Sequence, residues 1–158
     1  MTLMPFLLAV VASALGPNGF GPLSIGMSLD QAKAAAGGGL RVEQAAGGST
    51  CRYAKWSQAP GLGFMFNEGR LARIDVSSGS VAAEGGVKIG DSPTRVIAAY
   101  GKATLKAYPN KYDPKASDIV VTPAGARDRR IIFFVENNRV RKFRAGRLPE
   151  VEYSEGCS

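Results

Sequence analysis

The sequence predicts an α+β protein in which a short helix followed by an antiparallel β-hairpin occurs twice in tandem. Residues 25–37 (IGMSLDQAKAAAG) are similar to residues 89–101 (IGDSPTRVIAAYG). Farther along each copy, residues 64–71 (FMFNEGRL) are similar to residues 133–140 (FFVENNRV). Because both segments recur in the same order, the repeat predicts the architecture before any residue is assigned a function.

The repeat divides the chain into two copies with a connection between them. We expect a signal peptide over 1–14, a first α+β repeat over 15–78, a linker over 79–86 and a second α+β repeat over 87–158. A chain of 158 residues can hold one ordinary domain or two small, interdependent ones. The net charge is +7, and most of the Lys and Arg residues lie in the second copy, which is therefore the basic one.

Both predicted helices carry start and stop signals. Ser28 is a suitable N-cap, with a glutamine three residues later that completes a capping box, and Gly37 is a suitable C-terminal stop. In the second copy Ser92 is the N-cap, Pro93 suits the first helical position and Gly101 follows the last turn. Helices this short need packing against a sheet to be stable.

Strands are predicted to follow each helix. The predicted strands cover residues 51–56, 62–67, 70–76, 119–122, 131–136 and 139–143. Glu68-Gly69 and Asn137-Asn138 suit two-residue hairpin turns, which require positive φ at their centre. The segment 106–114 is predicted to be a long ordered loop or a sheet edge.

An apolar segment at the amino terminus predicts export. Residues 6–11 (FLLAVV) precede Ala12-Ser13-Ala14, a triplet with small residues at the two positions that signal peptidase requires. The segment is too short to cross a bilayer. A buried amino-terminal strand is the alternative. We expect a periplasmic or secreted protein that does not span a membrane.

Cys51 and Cys157 are the only cysteines of the chain. An even number of cysteines in an exported chain predicts a disulfide, which here would join the first copy to the carboxyl terminus. If the chain is not exported, two unrelated buried thiols are the alternative.

The helix starts and the paired hairpins also carry a resemblance to known families. On residues 25–28, residues 89–93 and the two hairpins, the chain resembles the tandem-repeat fold of β-lactamase-inhibitory-protein-like domains. Each half resembles the small outer-membrane lipoprotein domain of the barrel-assembly machinery. Lys111-Tyr112 and the ending Glu155-Gly156-Cys157 make it similar to uncharacterised secreted proteins of proteobacteria. The resemblance, over roughly residues 23–157, implies a fold and a protein-binding role rather than a chemical activity.

The residue types available exclude most enzyme classes. The chain has no histidine, which removes Ser-His and Cys-His nucleophile pairs and nearly all catalytic zinc sites. Asp91 and Ser92 are explained by helix capping. Glu150, Glu152 and Glu155 are interpreted as part of a solvated segment leading to Cys157. We therefore expect no enzyme, no catalytic residue, no metal site and no cofactor.

The first candidate binding residues are basic. They crowd the second predicted hairpin, where strand alternation places Arg139 and Arg141 on one face and Lys142 and Arg144 on the other. Such a concentration of like charge favours an anionic partner. The alternative is a solvated sheet face whose charge is balanced by nearby acidic residues.

The second candidate residues are tyrosines in the segment 106–114. Tyr108 and Tyr112 are flanked by polar residues and prolines, and exposed tyrosines serve as anchors for proteins and sugars. Most aromatic residues of such a chain lie in the core instead, and Trp56 is expected to be partly buried there.

These features predict an exported, monomeric, non-enzymatic binding protein of the cell envelope. The leading hypothesis is a protein-binding module, one form of which is an inhibitor of a secreted enzyme. The alternative is a binder of glycan, anionic lipid or lipopolysaccharide through the basic second repeat. Nucleic acid is not expected as a partner of an exported chain. Replacing Arg139, Arg141 and Arg144 by Ser is expected to alter stability only modestly, because surface charges contribute little to folding.

Overall fold

The computed structural model describes residues 13–45, 47–101 and 104–157, so positions 1–12 of the expected signal peptide lie outside the described residues. Strands account for 41% of the structure and helices for 14%. The fold is therefore mostly β, and the predicted α+β class is wrong. The reason is the length of the elements, because each of the two α-helices has only eight residues whereas eight strands join into one sheet.

Two antiparallel sheets and two α-helices make up the fold. The small sheet has the order β1-β2-β3 and contains β1 (Leu15–Gly16), β2 (Gly19–Phe20) and β3 (Leu23–Ser24). The helices are α1 (Leu29–Ala36) and α2 (Pro93–Tyr100). The large sheet contains β4 (Leu40–Val42), β5 (Cys51–Trp56), β6 (Leu62–Asn67), β7 (Arg70–Val76), β8 (Leu105–Pro109), β9 (Ala116–Val121), β10 (Arg129–Glu136) and β11 (Arg139–Arg147).

The large sheet has the strand order β4-β5-β6-β7-β11-β10-β9-β8. Each helix is followed by four strands that pair with their neighbours in the chain, and the two four-stranded halves meet where β7 pairs with β11. The last strand of each half thus lies at the centre, and the first strands, β4 and β8, lie at the edges. The boundaries predicted for the repeats and the linker stay a prediction.

Local signals in the sequence place the predicted caps and turns correctly. Ser28 and Ser92 are the N-caps of α1 and α2, and each hydroxyl accepts a hydrogen bond from a backbone N–H of the first turn. The two hairpin turns have positive φ, at 51° for Glu68, 50° for Asn137 and 63° for Asn138. The second hairpin extends farther than predicted, since β10 and β11 run over eight and nine residues.

One face of the large sheet packs against the helices and the small sheet. A single hydrophobic cluster on this side spans both halves of the chain, and its members include Leu15, Phe20, Leu23, Trp56, Phe64, Phe66, Val96, Phe133 and Phe143. We call the opposite face the tail side, because the carboxyl-terminal tail, residues 149–157, crosses it. The tail contains a short 3₁₀ helix, Glu150–Glu152, in which Val151 is fully buried.

The predicted disulfide between Cys51 and Cys157 is confirmed. It joins the start of β5 to the end of the tail, with a Cα–Cα distance of 5.4 Å. Disulfides of this kind persist in oxidising compartments. The bond therefore attaches the carboxyl-terminal end of the tail to the sheet.

Candidate functional site

Two adjoining clefts lie on the tail side of the second half. The strand cleft, of about 340 Å³, is lined by Lys106, Tyr108, Asp118, Val120, Thr122, Arg130, Ile132, Arg144 and Glu152. The loop cleft, of about 550 Å³, is lined by Pro109, Asn110, Lys111, Tyr112, Asp118, Phe134, Lys142, Arg144, Ser154 and Glu155. Because Asp118 and Arg144 line both, we treat the two clefts as one feature, the Arg144 groove.

Strand register explains why these side chains meet. Asp118, Phe134 and Lys142 lie opposite one another on β9, β10 and β11, and the row two residues farther on contains Ile132 and Arg144. Residues between these rows point to the core, since successive side chains of a strand alternate between faces. The groove consequently has an apolar floor with charged groups around it.

Arg144 is the most deeply placed charge of the groove. Its side chain is only 7% exposed, and its Nε donates a hydrogen bond to the carbonyl oxygen of Val151 at 2.6 Å. Within the described residues, its two terminal nitrogens have no hydrogen-bond acceptor. Burial, and then the charge of Arg73, lower the pKa of Arg144, while Asp118 acts in the opposite direction. The expectation that Arg144 is a surface charge is wrong, because the tail covers it.

Asp118 lies beside Arg144 and is also incompletely paired. Its Oδ1 atom is buried without a hydrogen-bond partner among the residues that the structure describes. Burial raises the pKa of Asp118, and the charges of Arg144 and Lys142 lower it by less. The groove thus presents a cationic donor and a carboxylate acceptor to whatever enters it.

The tail side of the first half, in contrast, is a closed and satisfied polar cluster. Arg73 is 4% exposed, bonds both carboxylate oxygens of Asp75 and donates to the carbonyl oxygens of Glu150 and Tyr153. The hydroxyl of Tyr53 donates to Asp75 at 3.0 Å, and burial followed by the charge of Asp75 raises the pKa of Tyr53 to about 12. These groups bind the tail, and we assign them a structural role.

The acidic tail residues do not all lie in solvent as predicted. Glu150 is only 3% exposed, accepts a hydrogen bond from Asn67 and forms an ion pair with Arg147 at 2.9 Å. The interpretation of Glu150 as solvated is therefore wrong, because the tail folds back over β6 and β11. Glu152 and Glu155 are exposed, and they line the strand cleft and the loop cleft respectively.

Four of the six predicted binding residues line the groove. Arg144 and Lys142 lie beside each other in the loop cleft, where the Lys142 amine is 5.1 Å from the ring centre of Phe134. Tyr108, 51% exposed, lines the strand cleft, and Tyr112, 82% exposed, lines the loop cleft.

The other two predicted residues, Arg139 and Arg141, line neither cleft. A register shift at Phe134 and Val135 disturbs the alternation near the turn. Arg141 instead lies 3.8 Å from Glu136 in an exposed ion pair. A bulge of this kind leaves no signal in the spacing of the residues.

Lys106, Asp118 and Arg130 line the groove but are not among the six predicted binding residues. They come from β8, β9 and β10, and only the pairing of these strands brings them to the same face as Arg144. The available signal is the alternation of side chains along the predicted strand 119–122. To bring these residues together, one must also know the register of the neighbouring strands, which the sequence does not show.

Metal-ligating clusters and membrane-crossing helices are both absent from residues 13–45, 47–101 and 104–157. No group of three or more His, Cys, Asp or Glu side chains that could hold a metal ion occurs there. The two α-helices in those ranges are too short to cross a bilayer.

The fold resembles that of a protein whose crystal structure has been solved. That protein is the uncharacterized protein yfeY from Escherichia coli, with a TM-score of 0.56 and 23% sequence identity. The match covers 85% of this chain and 99% of that one. At this identity it supports the fold alone. No family model matches the chain, and no curated protein does.

Proposed function

We propose that this protein is an exported, non-enzymatic binding protein that recognises an anionic group of its partner in the Arg144 groove. The observation that carries the proposal is Arg144, a cation that is 7% exposed and whose one hydrogen bond within the described residues is made by Nε to a neutral carbonyl. A desolvated charge that no carboxylate bonds directly is costly, even with Asp118 nearby. A carboxylate or phosphate at its terminal nitrogens would offset that cost through two charge-assisted hydrogen bonds.

The rim of the groove supports recognition by charge. Lys106 and Arg130 line the strand cleft and Lys142 lines the loop cleft, so cations approach a bound group from both sides. Large exposed apolar side chains among the described residues are few, namely Ile97, Tyr108, Tyr112 and Tyr153. Stable protein interfaces have an apolar core, and these side chains are too few to build one without charged contacts.

Export and the absence of catalysis rest on other features. The apolar residues 6–11 and the disulfide favour a periplasmic or secreted location. The lack of histidine and the pairing of both cysteines leave few groups able to act as nucleophile or general base. An acidic protein is our first candidate partner. An anionic glycan or lipid has the same charge chemistry and is the alternative.

Titration calorimetry with three anionic probes tests the proposal. The protein is produced with its disulfide intact and titrated with poly-L-glutamate, heparin or phosphatidylglycerol vesicles at low and at high salt. We expect binding that weakens as salt rises, because screening shortens the range of charge attraction. The probe that binds most tightly identifies the class of partner. No binding of any probe at low salt would contradict the proposal.

A matched pair of variants separates the groove from net charge. Lys142→Gln with Arg144→Gln removes two charges from the groove, and Arg139→Gln with Arg141→Gln removes two from the same strand outside it. We expect the first pair to weaken binding by about tenfold or more and the second by about twofold or less. Equal losses would show that only net charge matters. Lys142→Gln alone, at an exposed position, provides the comparison if the buried substitution lowers the melting temperature.

A further inference from the structure

Among the residues that the structure describes, no strand covers the outer edge of β8. β8 is the last strand of the large sheet and, within the described residues, pairs only with β9. The N–H of Asn110 donates to the carbonyl oxygen of Ala116. This bond shows which residues of β8 direct their backbone groups to β9. In an antiparallel pair, alternate residues exchange hydrogen bonds, so the backbone groups of Lys106 and Tyr108 point to β9. The N–H and C=O of Ala107 then point outward.

The two faces beside this edge differ in chemistry. On the helix side, an apolar cleft of about 250 Å³ is lined by Ile97, Leu105, Ala107 and Ile119. On the tail side, Lys106 and Tyr108 project into the mouth of the strand cleft. Two of the four large exposed apolar side chains, Ile97 and Tyr108, thus flank the same edge, one on each side.

We propose that β8 accepts an extended segment of a partner protein as an additional strand, with apolar side chains facing the helix side and acidic side chains facing the tail side. Strand addition uses the outward backbone groups for affinity and the alternating side chains for selection. Side chains directly opposite each other on paired strands lie about 5 Å apart. An acidic residue of the added strand therefore meets Lys106, while its neighbours enter the cleft beside Ile97.

Charge selects an acidic segment over a second copy of this chain. The protein has a net charge of +7, so two copies joined at β8 would bring basic surfaces together. In natural sheets, Lys and Pro on edge strands prevent unwanted pairing with other chains. Here Lys106 and Pro109 limit pairing at β8 to a short segment of complementary charge. The opposite edge strand, β4, has only three residues and offers a shorter template. This inference goes beyond the anion recognition proposed above, and either can fail without the other.

Hydrogen exchange with a designed peptide tests strand addition. The probe is an acetylated and amidated heptapeptide that alternates valine and glutamate, added to the ¹⁵N-labelled, disulfide-bonded protein. We expect the amide of Ala107 to become protected from exchange, while the amides of Lys106 and Tyr108, already bonded to β9, change little. Two peptides N-methylated at alternate positions separate backbone pairing from charge, because one of them should lose binding and the other keep it.

A charge swap with a matched control tests the selection. Lys106→Glu should weaken binding of the valine-glutamate peptide by about tenfold or more and permit binding of a valine-lysine peptide. Lys115→Glu makes the same change of net charge at an exposed site that lines neither the strand cleft nor the loop cleft, and should alter binding by about twofold or less.

Three outcomes would overturn strand addition. The first is no binding of the valine-glutamate peptide, and the second is equal binding of both N-methylated peptides, which would leave only a charge contact. The third is protection of Ala107 by dimerisation of the protein without peptide, which would assign the edge to a second copy. Poly-L-glutamate binding that depends on Arg144 would still stand in each case, so anion recognition is judged separately.

Discussion

Removal of the disulfide should destabilise the protein mainly through its unfolded state. The bond closes a loop with a sequence separation of 106 residues. For a loop of about 100 residues, the chain-entropy relation gives about 4.7 kcal/mol of stabilisation. The tail has other anchors, since Arg73 and Arg144 hydrogen-bond to its backbone and Val151 is fully buried. The folded state of a Cys51→Ser, Cys157→Ser variant should therefore keep the tail in place.

Urea unfolding followed by circular dichroism measures this loss. With a denaturant slope of about 2 kcal/mol per molar, a loss of about 4.7 kcal/mol lowers the midpoint by about 2 M. The slope itself should rise, because an unfolded chain without the cross-link exposes more surface. Wild-type protein reduced with dithiothreitol is the control, and it should unfold at the midpoint of the double variant. A loss below about 1 kcal/mol, with the tail still protected from hydrogen exchange, would refute the loop-entropy reasoning.

Two further predictions concern charged side chains on the tail side of the sheet. Arg73→Gln should lower the free energy of unfolding by about 3–5 kcal/mol, because it leaves the carboxylate of Asp75 and two tail carbonyls without their buried partner. Arg139→Gln, at the exposed first residue of β11, should change it by about 0.5 kcal/mol or less in the same urea titration. Because burial raises the pKa of Asp118 above its ordinary 3.8, the stability that its proton confers is present below pH 3.8 and lost as pH rises through the folded-state pKa. Asp118→Asn should consequently raise the melting temperature at pH 7 but not at about pH 3, and a lower melting temperature at pH 7 would contradict this.

The elements that were predicted correctly all carry local signals. The hairpin at Glu68-Gly69 is bounded by β6 and β7 as predicted, because the turn dipeptide and the flanking apolar residues are adjacent in the chain. The caps at Ser28 and Ser92 likewise depend on side chains within one helical turn. In contrast, β1, β2, β3 and β4 have two or three residues each, which is too short for a periodic pattern.

The candidate site was predicted only in part, because local patterns do not show contacts between distant segments. Alternation along one strand correctly groups Lys142 with Arg144, and the polar residues and prolines beside Tyr108 and Tyr112 are compatible with their exposure. Burial of Arg144 and Glu150 could not be predicted, because it depends on a tail that packs against strands far away in sequence.

The sequence by itself determined the helix caps, the hairpin turns and the basic character of its second half, since each depends on residue type or on near neighbours. The tertiary structure decided that β7 and β11 pair at the centre of the sheet. That pairing leaves β8 at an edge of the sheet that no other described strand covers, and it lets the tail cross β7 and β11. The open edge and the partly covered Arg144 groove therefore arise from contacts between distant segments, which no local pattern specifies.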